Sequence, residues 1–216
     1  MKFVAIAGTN KTGSTNRKLI DYITDRYRRS EAGEDGPEVS FETLDIAGLP
    51  IFSKVAEEEV PPQVKDLAAA IESSDGVVFA TPEYDHAVPA VLMNALAWLS
   101  YGIHPFYNKS VMIVGASYGN LGTSRAQLHL RRILDAPELH AFVLPSSEFL
   151  VDHSLQAFDD DGNLIDSGQV AKLDSLFRSF LEFAQASKAV TPRAYEKEEM
   201  KRYVYVSDPD SPVYGR

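Results

Sequence analysis

Apolar and polar positions along this chain alternate between two rhythms. Phe3-Val4-Ala5-Ile6-Ala7, Gly76-Val77-Val78-Phe79-Ala80 and Val111-Met112-Ile113-Val114-Gly115 are short, almost unbroken apolar runs. Between them lie longer stretches whose apolar residues recur at helical spacing, as in Leu19, Ile20, Ile23 and Tyr27. Unbroken runs suit strands covered on both faces, and helical spacing suits helices with one buried stripe. The pattern predicts strands at 2–7, 39–45, 76–81, 110–116 and 140–144, and helices at 15–29, 61–74, 89–100, 123–134 and 168–187. Five strand–helix units in succession predict an α/β fold: a three-layer, doubly wound, five-stranded parallel sheet with right-handed crossovers. Ligands of such sheets bind beyond the carboxyl ends of the strands, where this chain places Gly8–Asn16, Thr81–His86 and Ala116–Gly122.

The first of these loops reads Gly8-Thr9-Asn10-Lys11-Thr12-Gly13-Ser14-Thr15-Asn16 and opens directly into a helix. A helix start presents unpaired N–H groups and the positive end of the macrodipole, so it favours an anion. Thr9, Thr12, Ser14, Thr15 and Asn16 add short polar side chains able to bond phosphate oxygens. Neither common phosphate loop fits, since Gly13 is followed by Ser14-Thr15 and not by Lys-Ser/Thr, and Gly8 and Gly13 are too far apart for G-x-G-x-x-G. A phosphate monoester held by neutral donors suits the loop better than a nucleoside triphosphate. The plainer alternative is a strand-to-helix turn with a hydroxyl cap.

Composition narrows the function classes. The 216 residues suit one domain with a sizeable core, 44% hydrophobic and 24% charged. There is no cysteine, which excludes disulfides, thiolate catalysis and Cys-ligated metals. A formal net charge of −10 argues against nucleic acid as the main partner. The stretch from Val88 to Leu99 is too short to span a bilayer, and the chain enters a strand at once, without room for a signal peptide. A cytoplasmic protein with no membrane partner is the expectation.

Two further segments stand apart. Asp159-Asp160-Asp161-Gly162-Asn163 resembles a calcium loop in composition, but counting back from Gly162 puts Ala157 at the first ligand position, so a hairpin turn between 155–158 and 164–165 is expected. Residues 1–188 form the predicted domain. Residues 189–216 form an extension with Pro192, Pro209, Pro212, Tyr195, Tyr203, Tyr205 and Tyr214, expected either to pack on its own subunit or to reach another as an arm.

The second loop continues as Thr81-Pro82-Glu83-Tyr84-Asp85-His86-Ala87-Val88-Pro89-Ala90-Val91-Leu92-Met93-Asn94-Ala95-Leu96-Ala97-Trp98-Leu99, and the third reads Gly115-Ala116-Ser117-Tyr118-Gly119-Asn120-Leu121-Gly122. With the first loop they carry, in order, G-[ST]-x-[RK]-x-x-S-x-N, T-P-E-Y-[ND]-x-x-x-P-x-x-L-x-N-A-[LI]-[DA]-W-L and G-x-S-x-G-x-x-G. Over residues 2–187 the chain therefore resembles the NAD(P)H-dependent FMN reductase family, a flavodoxin-like group that includes many quinone, azo-dye and chromate reductases. The resemblance implies strand order 2-1-3-4-5, FMN as cofactor, NADPH or NADH as co-substrate, and a homo-oligomer, dimer or tetramer. It implies hydride transfer from the nicotinamide to FMN and onward to a flavin, quinone or azo-type acceptor, with no catalytic side chain of its own. It puts the FMN phosphate on Thr9, Lys11, Ser14, Thr15 and Asn16, and the isoalloxazine edge against Pro82, Glu83, Tyr84 and Asp85. Ser117, Tyr118, Gly119 and Gly122 would close the other side. Asp85 stands where the family most often has asparagine, and His86 where a small residue, often glycine, is usual, so the pocket is expected to be atypical near the ring.

Other residues read more plainly. Leu92, Leu96, Trp98 and Leu99 lie at helix spacing and are expected in the core. Glu83 is expected to be structural or flavin-positioning. His129, His140 and His153 are scattered and are not expected to ligate metal, and Arg131-Arg132 is expected on a solvated helix face. Two competing functions remain. Gly115-Ala116-Ser117-Tyr118-Gly119 matches the nucleophile elbow of an α/β serine hydrolase, with Asp135, Asp152, His140 and His153 downstream. A non-catalytic FMN-binding sensor or carrier would carry the same three loops.

Overall fold

The computed structural model describes residues 1–28, 38–55 and 59–190; the expected arm lies outside the described residues apart from its first two. The chain forms β1 (Lys2–Ala7), α1 (Thr15–Arg28), β2 (Ser40–Leu44), α2 (Pro62–Glu72), β3 (Gly76–Ala80), α3 (Ala90–Leu99), β4 (Ser110–Ala116), α4 (Ser124–Leu134), β5 (Phe142–Val143), β6 (Leu150–Val151) and α5 (Ser167–Ser187). Every pairing between strands is parallel, in the order β2-β1-β3-β4-β5, as the family resemblance implies.

The interior strands explain the unbroken apolar runs. Side chains alternate across a strand, and both faces here are covered. Val4, Ile6, Val77, Phe79, Val111 and Ile113 pack with buried residues of α2, α3 and α4, including Leu92, Leu96, Trp98 and Leu99. Phe3, Ala5, Val78, Ala80, Met112 and Val114 pack with those of α1 and α5.

One edge departs from expectation. The predicted strand at 140–144 pairs over only two residues, Ser110 with Phe142 and Val111 with Val143. The chain then leaves the sheet and returns as β6, which pairs with the far end of β4 through Gly115–Leu150 and Ala116–Val151. Pro145 lacks an N–H to continue a ladder, and Ser146 takes a positive φ of 53°. Arg131 holds the detour: its guanidinium donates to the carbonyls of Leu144 (3.0 Å) and Ser147 (3.3 Å) and to the Ser147 hydroxyl (3.2 Å). Arg131 is thus partly buried against a turn and is not on a solvated face. Two-residue strands give no periodicity to read, which is why β6 went unpredicted. The expected hairpin is present: Phe158 bridges Leu164, and Asp159 accepts the N–H groups of Asp161 (3.0 Å) and Asn163 (2.8 Å) across its turn.

On the α1/α5 face, one carboxylate joins the two helices. Asp174 accepts Arg26 Nε at 2.7 Å and an Arg26 terminal nitrogen at 2.8 Å, and the Tyr27 hydroxyl donates to it at 2.7 Å. Tyr27 also stacks on Phe177 at 3.9 Å. The Arg26 guanidinium holds the Asp174 carboxyl below the usual carboxylate range, while burial raises the Tyr27 phenol. A depressed carboxylate contributes stability above its unfolded-state value and loses it as pH falls through the folded one. Asp174→Ala should cost about 1–2 kcal/mol at neutral pH, discounted for partial exposure. The gap from wild type should close below about pH 4 in urea titrations across pH.

Candidate functional site

Three loops at the carboxyl ends of β1, β3 and β4 enclose a cleft of about 430 Å³, within the range of small-molecule sites. From the first loop it is lined by Lys11, Ser14, Thr15 and Asn16; from the second by Pro82, Glu83 and Tyr84; from the third by Ser117, Tyr118 and Gly119.

The first loop turns at Gly13, whose φ of +70° a side chain would resist. Ser14 then caps α1: its Oγ accepts the N–H of Asn16 at 3.2 Å, and its carbonyl accepts from Arg17 at 3.0 Å and Lys18 at 3.1 Å. Among the described residues, the N–H groups of Gly13 and Thr15 have no acceptor, although Thr15 is only 6% exposed. Unpaired N–H groups at a helix start that lines a cleft are a place for an anion. The Thr15 hydroxyl meets that of Ser154 at 2.9 Å. Thr9 sits beneath the loop and not on the cleft: its hydroxyl accepts the Lys11 N–H at 3.1 Å and its carbonyl accepts from Arg17 at 2.9 Å. The Asn16 carboxamide is committed at both ends, donating to the Ala116 carbonyl at 2.8 Å and accepting the Ala116 N–H at 2.9 Å. It ties the first loop to the end of β4.

The second loop is fastened to α4. Thr123, at the N-cap of α4, has a φ of 72° and makes no side-chain cap. Glu83 supplies the cap from forty-two residues away: its carboxylate accepts the N–H groups of Arg125 (3.1 Å) and Ala126 (3.3 Å) and pairs with the Arg125 guanidinium. A carboxylate at a helix start complements the free N–H groups and the dipole. Glu83 is therefore a structural cap beside the cleft. Further on, His129 Nδ1 accepts the Val88 N–H at 3.3 Å, an arrangement that leaves the ring proton on Nε2.

Between these anchors, Tyr84 and Ala87 exchange both backbone hydrogen bonds, at 3.1 and 2.9 Å, around Asp85 (φ 50°) and His86 (φ 64°). Two successive positive φ values make a type I′ hairpin turn, for which Asn-Gly is the favoured pair. Asp85 and His86 are thus turn residues. Here Asp-His takes the same backbone, and neither residue is on the cleft lining.

In the third loop, Ser117 N–H donates to Val151 and Ser117 carbonyl accepts from Ser154, both at 2.9 Å, so the loop rests on β6. Gly122, φ 55°, lies underneath: a Cβ there would stand 2.5 Å from that of Leu150. The cleft also uses Ala116, Asn120, Leu121, Thr123 and Arg125, which sequence reasoning missed as site residues. Asn120 and Leu121 lie inside the third motif and were within reach. Arg125 shows itself only through its distant partner Glu83.

The donor set of amides, hydroxyls and one lysine, with its single carboxylate already ion-paired, fits a phosphate monoester that also carries a flat ring. It offers no carboxylate cluster for a cation; among the described residues no group of three or more metal-ligating side chains occurs. The geometry does not favour Ser117 as a nucleophile elbow: its hydroxyl donates to the Gly119 carbonyl at 3.0 Å, and it is not among the residues with positive φ.

Removing the Asn16 carboxamide strands both polar groups of Ala116, so Asn16→Ala should cost about 2–4 kcal/mol of stability without any ligand, measured by denaturant unfolding. Restoring the preferred turn pair with Asp85→Asn and His86→Gly should raise stability by up to about 1 kcal/mol. An unchanged unfolding midpoint would show that the hairpin stores no strain.

The comparisons with known proteins agree with this geometry. The sequence model for NADPH-dependent FMN reductase matches residues 1–156. The chain is 45% identical over 202 residues to the NADH:(hydroxy)cinnamate reductase subunit CrdA of Vibrio ruber, covering 93% of this chain and 96% of that one. It is 37% identical over 195 residues to the NADH-dependent flavin reductase subunit 2 of Lactobacillus johnsonii, covering 87% and 100%. The solved structure of the Paracoccus denitrificans flavoenzyme FerB, an NAD(P)H:(acceptor) oxidoreductase, superposes with a TM-score of 0.71 at 23% identity, over 86% of this chain and 98% of that one, and shows the shared fold. The chain belongs to the NADPH-dependent FMN reductase family and is an oxidoreductase of flavodoxin-like architecture.

Proposed function

We propose that the cleft holds FMN, with its phosphate at the start of α1 and its ring between Pro82–Tyr84 and Ser117–Gly119, and that a reduced nicotinamide and an electron acceptor use this cleft in turn. The observation that carries this reading is the helix start on the cleft, where the N–H groups of Thr15 and Gly13 find no acceptor among the described residues beside the Ser14 cap. When bound, FMN supplies the hydride chemistry. The protein's own contribution is placement. Asn16 and Glu83 hold the three loops at a fixed separation, α1 directs N–H groups at the anion, and Tyr84 and Tyr118, 48% and 52% exposed, flank the mouth.

Both relatives described above are named for NADH, which supports NADH as donor, with NADPH the alternative. Both are also named as subunits, which supports a working partnership with another polypeptide, beside the self-association expected of the chain. Ile51 and Leu128, 89% and 62% exposed, offer apolar surface for either. The acceptor class stays as the resemblance implies: a flavin, a quinone or an azo compound. No helix among the described residues is long and apolar enough to cross a membrane. A cytoplasmic location belongs to the same proposal, because the nicotinamide pool is there.

The purified protein should take up one FMN per chain, with a rise in melting temperature. Anaerobic stopped-flow with NADH should bleach the flavin absorption, and double-reciprocal plots against a quinone should be parallel. Ser117→Ala should retain this activity. Binding of FMN without bleaching by either nicotinamide would favour a sensor or carrier. Sedimentation at micromolar concentration should show a species larger than one chain.

A further inference from the structure

Lys11 and Tyr118 stand on opposite sides of the cleft and touch. Lys11, at the apex of the first loop, donates from Nζ to the Tyr118 hydroxyl at 3.0 Å, and the same ammonium lies 5.3 Å from the centre of the Tyr118 ring. Both side chains line the cleft. We propose that Tyr118 is a positioning residue: it holds the Lys11 ammonium across the mouth, next to the start of α1, and so makes the cleft select flavins that carry a phosphate over those that do not. This rests on the reading that the cleft binds FMN.

Three observations carry it. First, among the described residues, Lys11 is a cation on the cleft lining that has no carboxylate partner. Arg125 also lines the cleft, but Glu83 pairs with its guanidinium, and Arg17, which is not on the cleft lining, donates from one terminal nitrogen to the Thr9 carbonyl and Asp45. Second, a lysine on a loop apex has a flexible four-carbon stem, and fixing it on binding costs affinity. A phenol that accepts its hydrogen bond and offers a π face to its charge restrains it beforehand. Hydrogen bonding to the phenol also holds the Lys11 ammonium above the usual lysine range. Third, Tyr118 has a rigid base. Ser117 N–H bonds Val151, the Ser117 carbonyl accepts from Ser154, and the Gly119 carbonyl accepts from both the His153 N–H and the Ser117 hydroxyl. None of these bonds involves the phenol, so Tyr118→Phe removes the hydroxyl without loosening the loop. The phenol acts on the anion only through Lys11, whose hydrogen bond it accepts.

The test compares FMN with riboflavin, which has the same ring and ribityl chain but no phosphate, by fluorescence titration of apoprotein. In wild type, FMN should bind at least tenfold more tightly than riboflavin. Tyr118→Phe should weaken FMN about five- to tenfold and leave riboflavin within twofold. Lys11→Ala should lower the FMN-to-riboflavin ratio further, and adding Tyr118→Phe to Lys11→Ala should change it no more. Equal weakening of both flavins by Tyr118→Phe, or an additive double variant, would overturn the proposal and leave Tyr118 as a packing surface for the ring. If wild type binds neither flavin, the functional reading itself fails, and this proposal with it.

Discussion

A parallel sheet delivers its loops to one edge but has nothing in its own ladder to hold them together. Here the Asn16 carboxamide does this, filling both the carbonyl and the N–H of Ala116 from a position 1% exposed. It fixes the start of α1 against the end of β4, and those two elements form the two walls of the cleft. That bonding uses one N–H and one lone pair of the carboxamide and leaves the second N–H of Nδ2, on a residue that lines the cleft. Ser14, Thr15 and Lys11 line the same wall of the cleft, on a loop that this bond holds.

Glu83 plays the matching part on the other side. α4 begins at Thr123 with a left-handed residue and no cap of its own, so its first N–H groups need an acceptor from elsewhere. A carboxylate from the second loop meets that need and in the same bonds fastens the loop beside the cleft. Helix stability and site geometry are therefore one interaction. Between Glu83 and the Val88–His129 bond, the hairpin around Asp85-His86 is braced at both ends. That bracing allows two non-glycine residues to occupy conformations that favour Asn-Gly.

The family resemblance rested on three motifs, and the structure separates what each motif residue does. Ser14 and Thr15 are donors on the cleft; Thr9 and Gly122 lie beneath it and shape the loops. Asn16 and Glu83 are connectors. A motif thus mixes residues that would meet a cofactor with residues that hold the others in place, and sequence spacing does not distinguish them.

Much of the architecture was legible in the sequence. Buried parallel strands announce themselves as apolar runs, amphipathic helices as periodic ones, and with alternation across each strand these specify a layered α/β fold whose ligand edge is known before any coordinates. The loop that opens α1 on the cleft was legible too, because its elements are contiguous in the chain. Residues that act through distant partners were not: Arg125 beneath Glu83, Arg131 in the gap between β5 and β6, and Tyr118 against Lys11, one hundred and seven positions away. Nor could the sequence show that Asp85 turns out of the cleft, since that depends on the backbone twist of a hairpin held at both ends. Periodicity and local capping are written in neighbouring residues. Which side chain meets which across the cleft is decided only when the sheet brings separate loops to a common edge.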